Sequence, residues 1–266
     1  VRAEDREEDP QVLLVVRDEA GEVVRRVPGP VEAGFHRVAW DLRYPRYDPT
    51  RFEDGHSPWG RPAAGPMVVP GRFTVQLAVR SGGELTTLGE PQGFDTVPLG
   101  LATLPAEDLT GLLAFQEKTG RLQRVVLAAR EVAEQTAERL RYVRKALDDT
   151  PGDTRALADR ARELERRLAD LRVLLIGDET VRRNFEPVSP SIVERVQRAV
   201  RAHWTTTSAA TSTHKREYDI AAGAFEPVLA DLRAIVEADL PRLESEMDAA
   251  GSPWTPGRAL PDWSPE

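Results

Sequence analysis

The chain has 266 residues, 40% hydrophobic and 30% charged, with a net charge of −8 and no cysteine. That mix fits one large or two ordinary globular domains, is too apolar for disorder, and excludes disulfides and thiolate metal sites. The acidic balance argues against nucleic acid as a partner, and no apolar run approaches the roughly 18 to 20 residues that cross a bilayer. All but three of the 36 basic residues are Arg. They alternate with Glu and Asp and read as solvated, ion-paired helix faces. The opening VRAEDREEDP has neither a signal-peptide core nor an initiator Met, and reads as a cut within a longer chain.

Residues 1–100 read as β. Gln11–Arg17 is a β-branched run, residues 18–21 a turn and residues 22–27 the return, which together make a hairpin. Residues 34–42 alternate, with Val38, Trp40 and Leu42 on one face. Residues 72–80 alternate most cleanly: Phe73, Val75, Leu77 and Val79 share the core face, and Thr74, Gln76 and Ala78 the other. Ser81, Gly82 and Gly83 turn the chain into a last strand within residues 84–97. Short strands separated by Gly and Pro predict an immunoglobulin-like β-sandwich.

Residues 101–251 read as an antiparallel up-down bundle of four helices. Pro105, Glu107 and Asp108 open the first with a turn suited to the helix dipole. Its seam runs Leu112, Phe115, Thr119, Leu122, Val126, Ala129, Ala133, Thr136, Leu140, Val143, Leu147, spaced by threes and fours. DDTPGD at 148–153 breaks it. A second seam, Leu157, Ala161, Leu164, Leu168, Leu171, Leu175, ends at Gly177, placed as a left-handed cap. Ser191 and Glu194 form a capping box for a third helix, which turns Ile192, Val196, Val200 and His203 inward. A Thr/Ser turn at 205–213 leads to a fourth, with Tyr218, Ala222, Phe225, Leu229, Leu232, Val236, Leu243 and Met247 inward and kinks at Pro227 and Pro241. Residues 252–266 read as an extended tail pinned to a domain surface by Trp254 and Trp263.

Chemistry is sparse. His36, His56, His203 and His214 show no metal-ligand spacing, so no metal is expected. His203 lies on an apolar face and reads as a core or interface histidine, with ligand or general base as the alternative. Ser57, Ser81 and Ser208 stand in no nucleophile motif, and no phosphate-binding glycine loop occurs, so no catalytic residue and no cofactor are assigned. Asp41, beside Arg43, reads as fixing the following loop. That loop, residues 43–67, is long for a compact domain and carries Tyr44, Tyr47, Phe52, His56 and Trp59. Two readings stand: its aromatics pack internally or against a neighbouring domain, or Tyr44, Tyr47, His56 and Trp59 contact a sugar.

The stretches DEAGEVVRR (18–26), AGFHRVAWDLRY (33–44), GPMVVPGRFTVQL (65–77) and PWTPGR (253–258) resemble the C-terminal region of bacterial glycosyl hydrolase-like proteins with Asp-box (BNR) repeats, sialidase-like or sortilin-like β-propellers. The resemblance implies an immunoglobulin-like module and a helical segment following a propeller, with the propeller as partner in the same protein. No S-x-D-x-G-x-T-W box occurs in these 266 residues, so the catalytic groups of such propellers map onto no position. The expected function is therefore that of a non-catalytic accessory region mediating domain packing or assembly. The alternatives are a carbohydrate-binding module using the 43–67 loop and self-association along the long seams.

Overall fold

A computed structural model describes residues 8–50, 65–184, 186–261 and 263. His56 and Trp59 lie outside the described residues. The architecture is α+β. Strands β1 (Gln11–Arg17), β2 (Val23–Gly29), β3 (Arg72–Ser81) and β4 (Glu84–Asp95) precede helices α1 (Leu109–Asp148), α2 (Arg155–Ile176), α3 (Glu179–Arg183), α4 (Ile192–His203), α5 (Ser212–Arg233) and α6 (Leu240–Ala249). A π-helical turn, Ala234–Asp239, joins α5 to α6. The chain divides into two compact units, Val1–Lys118 with Ala202–Ala210, and Thr119–Arg201 with Thr211–Glu266.

In the first unit the strands form one antiparallel sheet in the order β2-β1-β3-β4. Both hairpins form where the turn residues place them. Gly21 takes φ 82 in the first, and Gly82 and Gly83 take φ 56 and 81 in the second, the two-residue loop whose twist suits a hairpin. Each edge strand carries a proline, Pro28 in β2 and Pro91 in β4, at positions that need no ladder N–H. On β4, Val75 faces Gln92 but Leu77 faces Leu88. Gly89, Glu90 and Pro91 therefore bulge opposite Gln76, whose Nε2 donates to the Gly89 carbonyl at 2.9 Å.

Each face of this sheet carries some buried residues, while β4 is mostly exposed. On one, Val16, Val24, Val68 and Phe73 form a core that Trp40 and Phe94 complete, with the Trp40 ring edge-on to both phenylalanines. On the other, Leu13, Val15 and Ala78 are buried. Val15 and Val16 are consecutive, so they point to opposite faces. The expected division of β3 holds for Phe73 and Val75 and fails beyond them: Leu77 is exposed and Ala78 buried.

The expected strand at 34–42 is irregular chain. Leu42 takes φ 58, the only positive φ at a non-glycine among the described residues, and such a residue cannot continue a pleat. Trp40 still reaches the core, as the alternation requires.

In the second unit, α2 lies against α5, the π turn and α6. The α2 seam is buried at Ala161, Leu164, Leu168, Leu171 and Leu175, as expected. Of the α1 seam, Leu112 and Gln116 are buried in the first unit, and Thr119, Gln123, Val126, Ala129, Ala133, Thr136, Leu140, Val143 and Leu147 in the second. Ion pairs tie the helices: Arg139 with Glu244, Arg144 with Glu165, Arg160 with Glu246, Arg167 with Asp239 and Arg195 with Glu217. Asp108 caps α1, its Oδ1 accepting the Gly111 N–H at 2.7 Å, and the Ser191–Glu194 box caps α4. Glu194 accepts the Ser191 N–H, and that bond foremost holds its carboxyl below its ordinary value.

Three expectations are corrected and one further element is found. Gly177 has φ 99 but ψ 164, so it leaves α2 extended rather than in the left-handed helical well. The inward face of α5 is Ala221, Phe225, Val228 and Leu232, so Ala222 and Leu229 are each displaced by one. α3, capped by Asp178, was not foreseen; five residues are too few to show a period. Trp254 is half exposed and Trp263 almost wholly so; the tail is held instead by Thr255 and Arg258, both buried.

Candidate functional site

The Trp40-Asp41-Leu42-Arg43-Tyr44 stretch is the hub of the first unit. Asp41 Oδ1 accepts the Arg43 N–H at 3.2 Å, which closes a tight turn over Leu42. A leucine held left-handed costs about 1–2 kcal/mol. The surroundings offset this: the Leu42 carbonyl accepts the Val68 N–H at 2.9 Å, Tyr44 N–H donates to Pro66 at 3.0 Å, and Trp40 Nε1 donates to the Arg43 carbonyl at 3.1 Å. Asp41 thus does what the sequence suggested, through a backbone N–H rather than the Arg43 guanidinium.

That guanidinium works elsewhere. Arg43 Nη1 donates to the Gly65 carbonyl at 3.1 Å and to the Trp204 carbonyl at 2.8 Å. Tyr47 lies against the Trp204 ring, centroids 5.7 Å apart. One residue earlier, His203 is fully buried against Phe115, centroids 5.1 Å apart, and its carbonyl accepts from Gln116 Nε2 at 2.7 Å. Tyr44 packs on the core cluster, its carbonyl accepting from Arg25. Burial, with the Glu117 carboxylate next, pushes its phenol above the ordinary value.

Compared with family profiles, curated proteins and solved structures, this chain matches none. The site is therefore argued on its own geometry.

Of the four candidate contact residues, Tyr44 and Tyr47 are both engaged inside the first unit, 44 with the sheet core and 47 with Trp204. Among the described residues no group of three or more His, Cys, Asp or Glu is placed to hold a metal ion. No helix among those residues is long and apolar enough to cross a membrane.

What sequence reasoning missed is a cavity of about 410 Å³ beside the hub. Leu42, Met67 and Val68 form one side, the strap from Thr96 to Ala102 a second, and Leu112, Leu113 and Gln116 of α1 a third. Its sequence signal was the dense run of aliphatic residues at 97–104, Val97, Leu99, Leu101 and Leu104, interrupted by Pro98 and Gly100.

Proposed function

We propose that this chain is the non-catalytic accessory region of a longer glycosyl hydrolase-like protein with an Asp-box propeller, and that it serves domain packing or assembly. The observation that carries the reading is the double use of Arg43 and Tyr47 on Trp204. The described residues of the long aromatic loop are spent on holding one unit together from distant parts of the chain. A loop used in this way is a brace. At the finer level we read the sheet as half of an immunoglobulin-like sandwich, because one of its faces carries the core of Val16, Val24, Val68 and Phe73 with Trp40 packed on it, and α1, α2, α4 and α5–α6 as the four-helix bundle.

The reading is tested in the gene and at the bench. The reading frame upstream of Val1 should encode several S-x-D-x-G-x-T-W boxes, and a frame without them overturns the assignment. The purified chain should release no 4-methylumbelliferone from a glycoside panel; turnover abolished by a substitution within the chain would make it an enzyme. On a glycan array it should give no hit. Binding lost in Trp59→Ala would replace the brace by a carbohydrate module.

A further inference from the structure

We infer that the cavity beside the hub is a binding site for a small, uncharged apolar molecule. The inference stands apart from the accessory reading, because it rests on other residues and neither requires the other. Three observations carry it.

The first is the strap. Val97, Leu99 and Leu101 are 73%, 82% and 83% exposed, and all three line the cavity. Aliphatic residues singly exposed need no explanation, but a run of them around a concavity does. Whatever fills the cavity covers them.

The second is the lining. None of the lining side chains is ionisable, and the polar ones are Gln116 and the threonines at 96, 206 and 207. A charged group placed inside would lose its water and meet no counter-charge. A few neutral hydrogen-bonding groups in an apolar wall suit a ligand with at most a hydroxyl or carbonyl. A volume of about 410 Å³ lies within the range of small-molecule sites and is concave in a way that flat protein contacts are not.

The third is the backbone. Leu42 lines the same cavity with the one left-handed non-glycine φ among the described residues. Glycine would take that conformation freely, so the strain serves to hold a branched aliphatic side chain at the wall.

The test uses the full chain and the neutral fluorophore N-phenyl-1-naphthylamine. The expected result is saturable binding at one site per chain with a micromolar dissociation constant, displaced by 1-dodecanol. Leu99→Asp and Leu101→Asp sit on exposed positions, so each should keep the wild-type melting curve while weakening binding at least tenfold. Leu260→Asp, equally exposed on the tail, should leave binding unchanged. Absence of saturable binding overturns the inference, as does binding that both strap variants retain. Sedimentation velocity on the same samples covers the remaining case. Self-association abolished by the strap variants, with no probe bound by the monomer, would make the patch an interface between copies and refute a small-molecule site.

Discussion

Arg258 offers the sharpest test of how the second unit is closed. Its side chain is 1% exposed. It pairs with Asp248, donates from Nη1 to the Pro253 carbonyl at 2.9 Å, and reaches the Glu244 carbonyl at 3.5 Å. Glu244 is itself buried and takes both arms of Arg139, at 2.7 and 2.5 Å. Replacing Arg258 by Met keeps most of the volume and removes every donor. Asp248 is largely exposed and returns to water cheaply, so the cost is that of the stranded carbonyls, about 2 kcal/mol. Ala adds a cavity and brings the loss to about 3 kcal/mol. Lys keeps the charge but lacks the planar fork, and should fall between Met and the wild type. Urea unfolding followed at 222 nm resolves this order: at about 1–3 kcal/mol per molar, Arg258→Ala should move the midpoint by roughly 1–3 M. Truncation after Gly251 should cost more, since it also removes buried Thr255 and the Ser252 hydroxyl that pairs with buried Thr150. If Arg258→Ala shifts stability by less than about 0.5 kcal/mol, within the usual surface range, the guanidinium does not dock the tail.

Two glycines should respond in opposite directions. A Cβ at Gly65 would stand 2.5 Å from the Tyr44 carbonyl oxygen, which is fixed backbone, so Gly65→Ala should cost about 2–4 kcal/mol by thermal denaturation. Gly223 lies in α5 with nothing within 4 Å of its Cβ site, so Gly223→Ala should gain about 0.5–1 kcal/mol. Glu194 has a depressed pKa, so its contribution is full above the ordinary carboxylate value and is lost as pH falls through the folded one. Glu194→Gln should therefore flatten the fall of stability on acidification from about pH 5 downward. Tyr44 is raised, so its phenol should be deprotonated late in a titration followed at 295 nm, and Tyr44→Phe should remove that late step.

What was legible in the sequence follows from the range of each interaction. The α2 seam was read residue by residue, because helix periodicity is local and Ala161 to Leu175 pack along one unbroken face. The hairpins were legible because Gly21, Gly82 and Gly83 carry their own conformations. The strand at 34–42 was misread because alternation at Val38, Trp40 and Leu42 does not reveal the φ of Leu42, which the Val68 and Asp41 partners fix from outside. The tail was misread for a related reason. Large aromatics drew attention to Trp254 and Trp263, while the anchor is a charged residue whose partners come from α6 and the tail's own backbone. Arg43, the centre of the hub, was read only as a neighbour of Asp41, since its partner Trp204 lies 161 positions away.

The displaced face of the fourth helix has a cause of its own. Its buried positions run Phe225, Val228, Leu232, Ile235, Leu240, Leu243, Met247, and the step from Ile235 to Leu240 is one residue too long for an α-helix. The π turn absorbs the extra residue: Leu240 N–H donates to the Ile235 carbonyl five positions back. Pro241 follows at once, where it has no N–H to give and its ring would strike the carbonyl four positions back in a regular helix. Two causes therefore coincide, core spacing and proline, and they separate by mutation. Deleting Ala238, which is exposed, restores α spacing but leaves a proline inside an α-helix, at a cost of about 3 kcal/mol. Pro241→Ala alone leaves the spacing unchanged and should be nearly neutral. The two together should recover most of what the deletion loses, a coupling readable by urea unfolding. If the double variant is no more stable than the deletion alone, the proline is not what holds the turn wide, and the spacing of the core accounts for it without help.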